Sequence, residues 1–507
     1  MAPHPEKTSG RTTANRPHVA VAGFTASQDV SARDEWLPVG VEETLCWRLR
    51  RVPGVLVVPT MRVHKAQREL QEIGATAVTT QQAVAALGAE RLVTGRCAGH
   101  VDRLELELSI LAVGTPARQL DHVTLPPGRL FEVLDAATRW LLERLSVAEL
   151  SPELSARILA APARSPSAVE YYGRAVNAQR DGDLAEARRF ALRSLSYDQL
   201  YRPALGTLVQ IEVQAGPAAM SSSSQHLRML SELARRADDP IDLATAELGR
   251  GALAHLTGDF SAAYQRYESS LAISYAAGAV YGEIAALTNL GDLHLTRPIP
   301  PGLDQSQVEL FARQDFQWSI EWQRIVVDMV AELGDLVSET TAANKLALTY
   351  ERMGDREAAI AMQQRALAAA DRLGSAGHRA AAWLHLARLH EGAQRLDEAL
   401  AAVEQSLALA DTRIRPAAKF ARAGILRGLG RTAEALAEYE EVYAHIRPTD
   451  DLASQLACAR NIAALRRELG RRADARAALL EAIDIAQALG SPAEAELRAE
   501  LAALQGD

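Results

Sequence analysis

The sequence has few cysteines and no long apolar run. Three cysteines occur among 507 residues, at Cys46, Cys97 and Cys458. Because their number is odd and their spacing is wide, they exclude a disulfide framework and a Cys-x-x-Cys metal or redox site. No stretch reaches the roughly 18 apolar residues of a membrane-spanning helix, and no apolar segment of a signal peptide follows the basic start of the chain. These absences predict a cytoplasmic protein without membrane insertion.

An excess of positive charge is also missing. The formal net charge is -9 and the isoelectric point is near 5.8, whereas binding to nucleic acid or anionic lipid needs a clustered basic surface. One arginine-rich stretch has acidic residues on neighbouring turns, which favours a solvated helix face over a phosphate site. Its arginines are Arg466, Arg467, Arg471 and Arg472. We therefore predict no nucleic-acid partner.

Aromatic residues make up only 5% of the chain, while 48% of the residues are hydrophobic and 23% are charged. This apolar content excludes a disordered chain, and the length suits two or three domains of about 150 residues. Alanine is abundant, and it combines a high helix propensity with a side chain small enough for close helix packing. The composition thus favours packed helices.

After a flexible tail at 1–17, short apolar runs alternate with helical segments. Strands are predicted at 18–24, 55–59, 91–99, 103–113 and 118–125, and helices at 35–51, 61–73, 79–88 and 128–146. From Leu104 to Ile110, apolar residues alternate with Glu or Ser, which is typical of an antiparallel strand with one buried face. Thr79 and Thr80 are candidate caps for the third helix. Together these elements predict an α/β domain over residues 18–150.

Three stretches of this domain resemble the amino-terminal domain of TolB-like proteins. They are VAVAGF, GVEETLCWRLRRVPGVLVVP and AVAALGAERLVTGRCAGHVDRLELELSILAVGTPAR. The resemblance covers about residues 18–145 and includes a strand that ends in Phe, a Gly-x-x-Glu-Glu helix and a Leu-Gly turn into a hairpin. The sequence departs from the family in the loop TASQDVSARDEW and lacks the aromatic residue common after the hairpin. The resemblance implies a bacterial protein of α/β fold at its start and carries over no catalytic residue.

A Pro/Ala/Ser-rich linker is predicted at 151–167, and a helical-hairpin pattern then recurs to residue 490. Its copies begin at Gly182, Gly258, Gly354, Gln394, Gly430 and Gly470. Matching alanines in four of them, Ala359, Ala399, Ala435 and Ala475, are 40, 36 and 40 positions apart. Such a period is the mark of a helical solenoid, in which each hairpin needs a turn residue and a small residue at the helix crossing. Trp383, Leu386, Ala387 and His390 occupy the places of the tetratricopeptide Trp-x-x-Leu-Gly-x-x-Tyr pattern.

The predicted fold class is therefore a two-part α+β chain, with a small α/β domain followed by an all-α tetratricopeptide superhelix. We predict about seven hairpins over 168–490. Insertions are predicted near 215–226, where serines cluster, and near 297–307, where three prolines cannot lie within a helix. The segment 491–507 is predicted to be a capping helix that covers the last apolar face.

No catalytic motif emerges from the sequence. A phosphate-binding Gly-x-x-x-x-Gly-Lys loop and a Gly-x-Ser-x-Gly elbow are both missing. His385 and His390 are five positions apart, unlike the i, i+4 pair of a zinc-binding helix. We therefore predict no cofactor, no metal site and no enzymatic activity.

The remaining prediction is a recognition surface, because stacked hairpins leave a groove lined by their first helices. Counting back from the turns places Asp292, Asn344, Arg388 and Asn461 on or near that lining. These polar residues are either protein-binding positions or ordinary solvated positions.

Three functions remain open. The first is a protein-binding scaffold or adaptor that uses the groove. The second is a regulator whose TolB-like domain binds a small ligand, with the repeats acting on a cyclase, kinase or transcription factor of another chain. The third and weakest is an enzyme with its site in the α/β domain. The partner and the oligomeric state are not encoded in any motif.

Overall fold

A computed structural model describes residues 16–73, 77–114, 118–145, 150–160, 163–411 and 413–506. The chain divides into two compact units, residues 1–342 and 343–507. We call them unit 1 and unit 2. Most of the predicted flexible tail lies outside the described residues.

Unit 1 begins with a six-stranded mixed sheet. Its strands are β1 (His18–Val21), β2 (Thr25–Ala26), β3 (Leu56–Val58), β4 (Arg91–His100), β5 (Arg103–Ala112) and β6 (Arg118–Gly128). The order is β3-β1-β4-β5-β6, and β2 pairs with β4. β1 runs parallel to β3 and β4, whereas β4, β5 and β6 are antiparallel. The predicted alternation in β5 is confirmed, because Leu104, Leu106, Leu108 and Ile110 are buried while Glu105 and Glu107 are exposed.

Four helices accompany the sheet, α1 (Leu37–Leu49), α2 (Thr60–Ile73), α3 (Thr80–Ala86) and α4 (Leu130–Arg144). The predicted cap of α3 is confirmed, since the Thr79 hydroxyl accepts from the Gln82 amide and the Gln82 side chain bonds back to Thr79. α1 and α4 contribute Leu45 and Leu134 to the core beneath the sheet. We call residues 18–145 the sheet domain.

The segment 151–167, which was predicted to be a linker, contains a helix. It contains α5 (Pro152–Leu159), whose first turn is capped by the Ser151 side chain. Ile158 is only 1% exposed and belongs to the core of unit 1. Serine followed by proline is a favourable helix start, so the composition that indicated a linker in fact begins a helix.

Successive helices follow the sheet domain. In unit 1 they are α6 (Pro166–Arg180), α7 (Leu184–Tyr197), α8 (Arg202–Gln214), α9 (Met220–Arg236), α10 (Pro240–Leu256), α11 (Phe260–Ala277), α12 (Val280–Thr296) and α13 (Gln305–Glu332). α14 (Leu336–Met353) spans the division between the units. Unit 2 continues with α15 (Arg356–Leu373), α16 (Ala376–Gly392), α17 (Leu396–Leu409), α18 (Arg415–Gly428), α19 (Thr432–Ile446), α20 (Leu452–Glu468), α21 (Arg472–Leu489) and α22 (Ala493–Gly506).

The predicted hairpin turns are confirmed. The five turn glycines have φ between +73° and +88°, a conformation that glycine adopts without a steric penalty. Gln394 takes the same left-handed conformation, with φ +60°, where this repeat has no glycine. The four recurring alanines are 0% exposed, as expected for residues at helix crossings.

The first predicted insertion is wrong. Residues 220–226 belong to α9, which pairs with α8 to make a hairpin that the sequence pattern did not reveal. Ser222, Ser223 and Ser224 each donate to a main-chain carbonyl three or four residues earlier. This local bonding lets a serine run continue as a helix. Among the described residues, α6 to α21 therefore form eight pairs, one more than predicted.

The second predicted insertion, near 297–307, corresponds only in part to a loop. A loop connects α12 to α13, but the helix begins at Gln305, capped by Asp304. α13 is consequently 28 residues long, and its first turn includes residues 305–307 of the predicted insertion.

Candidate functional site

The sheet domain packs against the helix pairs of unit 1 through α1. All residues of α1 except Val39 are buried, so this helix is covered by the sheet on one side and by α6 on another. Gly40 and Gly173 make the close approach possible: a Cβ atom on Gly173 would lie 3.3 Å from the Gly40 nitrogen. The contact therefore brings polar groups of α1 into the protein interior.

Two adjacent carboxylates of α1 are buried in this contact. Glu42 is 2% exposed and Glu43 is 7% exposed. Arg180, at the end of α6, donates from Nη2 to Glu42 Oε1 at 2.7 Å and to Glu43 Oε1 at 2.9 Å. The Thr60 and Tyr172 hydroxyls also donate to Glu43, at 2.6 and 3.3 Å. Buried charges of this kind are tolerated only when they are paired and hydrogen-bonded.

The pKa shifts of Glu42 and Arg180 indicate the charge that each group carries in this contact. Burial alone would raise the pKa of Glu42, but the hydrogen bond with His64 and the charge of Arg180 together hold the pKa below its usual range. Burial also opposes the charge on Arg180, yet the two carboxylates outweigh it and raise the pKa of the guanidinium. Both partners are thus ionised near neutral pH.

A second polar contact lies at the end of α1. Arg51 Nε lies 2.6 Å from Asp239 Oδ2, and Arg202 Nη1 lies 2.6 Å from the same oxygen. Both arginines also pair with Asp242 at the start of α10. The Arg51 guanidinium stacks over the Trp47 ring, with Cζ 3.5 Å from the ring centroid. Burial opposes the charge of Asp239, but Arg51 and Arg202 lower its pKa.

A third contact joins β1 and α2 to later helices of unit 1. His18 Nδ1 lies 2.9 Å from the Gly88 carbonyl oxygen, and Nε2 lies 2.8 Å from the Tyr281 hydroxyl on α12. Because a carbonyl only accepts, Nδ1 carries the proton and Nε2 accepts from the tyrosine. Arg62 on α2 pairs with Asp335, just before α14. The sheet domain is therefore held at α6, α10, α12 and the start of α14.

We expect the His18 contact to weaken at mildly acidic pH. Burial lowers the pKa of His18, against smaller opposing effects from Gly88, Asp335 and Glu90. The unfolded-state pKa of histidine is about 6.5, and the folded-state pKa of His18 is lower. The stabilisation is therefore complete above about pH 6.5 and decreases as the pH falls from that value toward the folded-state pKa. The loss is at most about 1.4 kcal/mol per pH unit.

Hydrogen exchange of β1 and α12 at pH 7.5 and 5.5, corrected for intrinsic rates, measures this effect. The amides should exchange faster at pH 5.5 in the natural chain, whereas His18→Gln should abolish most of the pH difference. An equal pH response in both proteins would contradict the assignment to His18.

The four predicted binding residues do not form one cluster. Asp292 lies in unit 1 on α12, where burial and the Asp292 charge raise the pKa of Tyr267. In unit 2, the Asn461 side chain donates to the Ala457 carbonyl of its own helix at 2.9 Å. Only Asn344 and Arg388 lie near a common feature.

That feature is a cavity of about 150 Å³ between α14, α15 and α16, which we call the α14–α16 cavity. It is lined by Ala347, Leu348, Glu351, Gln363, His385, Arg388 and Leu389. Arg388 is exposed, and it has no ion-pair partner among the residues that the structure describes. Asn344 lies behind the cavity, where its carbonyl oxygen accepts from Gln363 at 2.8 Å. Asn344 therefore supports the lining instead of presenting its amide to solvent.

Three other features of this cavity were not predicted to contribute to a binding surface. Gln363 is 0% exposed, and within the described chain its Oε1 has no hydrogen-bond partner. Leu348 is 44% exposed at the rim, next to the exposed Glu351. Burial lowers the pKa of His385, and the nearby Arg388 charge adds to this. The cavity thus combines a neutral histidine, a buried oxygen without a donor, an apolar rim and two exposed charged side chains.

The comparison with protein families matches residues 338–412 to the tetratricopeptide repeat. These residues are tetratricopeptide repeats. The match contains the α14–α16 cavity, so that cavity is formed by repeats of this type. A comparison with curated proteins gives no match.

Similar solved structures include BtubC from P. vanneervenii, with 16% identity, 47% of this chain and 93% of that chain covered, and a TM-score of 0.36. A signal-transduction ATPase with a tetratricopeptide repeat sensor, from Pyrococcus horikoshii, has 13% identity over 67% of this chain and 50% of that chain, with a TM-score of 0.46. The apo form of RapI has 8% identity over 67% of this chain and 97% of that chain, with a TM-score of 0.44. Because these TM-scores are below 0.5, the likeness does not extend to a shared overall structure.

The described residues give no sign of a membrane span or a metal site. No helix among them is long and apolar enough to span a bilayer. No group of three or more His, Cys, Asp or Glu side chains in the same residues is placed to hold a metal ion.

Proposed function

We propose that this chain is a non-catalytic adaptor whose unit 2 repeats bind a protein partner at the α14–α16 cavity. The observation that carries the proposal is that several charged and polar groups of the cavity lining lack partners within the described chain. Arg388 and Glu351 are exposed and form no ion pair within the described chain, while Gln363 Oε1 is buried there without a hydrogen-bond donor. Buried polar atoms normally have partners, so an open acceptor in a cavity is suited to an incoming N–H or O–H group.

The size of the cavity indicates what it receives. The volume of the cavity is about 150 Å³. An engineered apolar cavity of about this volume binds benzene, so the α14–α16 cavity can accept a group of roughly that size. The exposed Leu348 adds an apolar contact at the rim. A single side chain of a bound segment, flanked by one acidic and one basic group, fits these features. Binding by a groove of helical repeats is a known mode of peptide recognition.

The experiment compares the full chain with two variants as bait in extracts of the native cell, followed by titration of each purified partner. Arg388→Glu combined with Leu348→Asp changes the rim and leaves the buried lining intact. Arg476→Glu, at an exposed position on the second helix α21, is the matched control. We expect the double variant to bind a partner at least tenfold more weakly, whereas the control should bind normally. Equal affinities for all three baits would contradict the proposal.

Asn344, a predicted protein-binding residue, is not suitable for mutation in this experiment. Its carbonyl satisfies the amide of buried Gln363, so replacing Asn344 would disturb the packing between α14 and α15. A loss of binding in that variant would not separate recognition from stability.

The identity of the sheet domain is part of the same proposal. We infer a TolB amino-terminal-like domain at residues 18–145, in a bacterial cytoplasmic protein. The parallel arrangement of β1 with β3 and the β4-β5 hairpin support it, because both follow the order of segments that carries the resemblance.

A ligand-sensing regulator, acting on a cyclase, kinase or transcription factor of another chain, is the second candidate. A cavity of about 430 Å³ favours it, because this cavity is lined both by the end of α1 and by the starts of α10 and α12. Ligand sites occur preferentially at such boundaries between packed parts. A ligand there would change how firmly the sheet domain is held.

A further inference from the structure

The 430 Å³ cavity in unit 1, which we call the arginine cavity, has an unusual concentration of one residue type. Five arginines line it, namely Arg16, Arg50, Arg51, Arg157 and Arg202. Arg50 follows α1 and Arg16 precedes β1, so both belong to the sheet-domain side. The opposite side is formed by the turns before α10 and α12.

The charges in the arginine cavity do not balance. Arg51 and Arg202 are neutralised by Asp239 and Asp242, and Arg157 pairs with Asp238 at 2.7 Å. Arg16 donates to the Gly278 carbonyl, which carries no net charge. The Arg50 guanidinium has no hydrogen-bond or ion-pair partner in the described parts of the chain, although the Arg50 main-chain N–H donates to the Cys46 carbonyl. Five guanidinium groups therefore face three carboxylates, which leaves two positive charges at the cavity.

The main chain adds to this positive potential. Ala279 lines the cavity and is the N-cap residue of the 17-residue helix α12, but no side chain caps that helix end. By contrast, the neighbouring α10 is capped by Asp239. An uncapped helix start directs amide groups and the positive end of the helix dipole outward. The helix end thus adds a smaller positive contribution near these arginines, which the buried Glu283 carboxylate in the first turn of α12 reduces.

Apolar side chains form part of the remaining lining. They include Val52, Val55, Leu154, Ile158 and Ile241. A free inorganic anion would leave this surface uncovered, whereas a ligand with an organic body would contact it. The volume lies within the roughly 300–1,000 Å³ of small-molecule sites. Guanidinium groups bind phosphate oxygens through paired, charge-assisted hydrogen bonds.

We propose that the arginine cavity binds an organic phosphate of about nucleotide size, with its phosphate near Arg50 and Arg16 and its body against the apolar lining. Such a ligand bridges the sheet domain and the start of α12, and so tightens the packing between them. The inference rests on the ligand-sensing candidate and is independent of the α14–α16 cavity.

The test is isothermal titration of the full chain with AMP, ADP, ATP and glucose 6-phosphate. Inorganic phosphate and citrate serve as reference anions. We expect at least one organic phosphate to bind at least tenfold more tightly than inorganic phosphate, and Arg50→Glu to weaken that binding at least tenfold. Arg91→Glu is the matched control, because Arg91 is also half-buried but lies at the start of β4, away from the cavity. It should bind within about twofold of the natural chain, a difference below about 0.5 kcal/mol.

Three results would overturn the proposal. They are no heat with any organic phosphate, equal affinity in the Arg50→Glu variant, and citrate binding as tightly as the best phosphate. Circular dichroism of Arg50→Glu must match that of the natural chain, and Arg50→Gln, which only removes the charge, should give an intermediate affinity. The adaptor proposal is judged separately, since Arg388→Glu should leave phosphate binding unchanged while it weakens partner binding.

Discussion

Replacing Arg180 by methionine should destabilise the contact between α1 and α6 by about 3–5 kcal/mol, because it leaves two buried carboxylates without their cation. Glu42 and Glu43 accept from the same Nη2 atom, and neither can reach bulk solvent. Hydrogen exchange of the α1 amides measures the local free energy of opening. A loss of 3 kcal/mol or more should accelerate that exchange by roughly a hundredfold or more.

The matched control is Arg174→Met on the same helix. Arg174 pairs with Glu170 in a partly exposed i, i+4 arrangement, and such pairs contribute about 1 kcal/mol or less. A triple variant, Arg180→Met with Glu42→Gln and Glu43→Gln, should regain most of the protection because the unpaired charges are gone. Equal effects of Arg180→Met and Arg174→Met would show that the buried group of Arg180, Glu42 and Glu43 does not stabilise the contact between α1 and α6.

Gly88→Ala should destabilise unit 1 by about 2–5 kcal/mol, the sum of a backbone penalty and a steric clash. Gly88 has φ +72°, and an added Cβ would lie 1.9 Å from the main-chain oxygen of Leu333. Main-chain atoms cannot rotate away as a side chain can, so the turn before α14 must move. Faster exchange is expected at β1, whose His18 bonds to the Gly88 carbonyl, and in the α13–α14 turn.

Gly54→Ala separates the two causes. Gly54 has φ +84°, but an added Cβ would meet nothing within 4 Å. This variant should lose only the roughly 1–2 kcal/mol of the left-handed conformation. Equal losses in the two variants would show that the sheet domain does not press against the α13–α14 turn.

Several features of the fold were predictable because they depend on local spacing. The turn glycines and the recurring alanines repeat at nearly constant intervals, and the structure gives both the expected conformation and burial. The hairpin of α8 and α9 was missed, since its serines are satisfied by main-chain carbonyls only once the helix exists. The helix α5 was missed because a proline-rich start and a linker have similar composition.

The candidate sites were less predictable. Apolar residues occur all around α1, and this signal indicates a helix that needs cover on more than one side. It does not say what covers it. Among the residues predicted for the groove, Arg388 is at a cavity rim and Asn344 is a packing residue, a difference that depends on Gln363 one helix away.

The sequence by itself determined the succession of helical hairpins, the mixed α/β start of the chain and the tetratricopeptide character of its repeats, because each follows from residue spacing within about 40 positions. Only the tertiary structure decided which of those helices hold the sheet domain and where cavities remain. Glu43 meets Arg180 across 137 positions, and Arg62 meets Asp335 across 273. The physical reason is that a buried charge selects its partner by proximity in the folded state, and no local pattern records that distance.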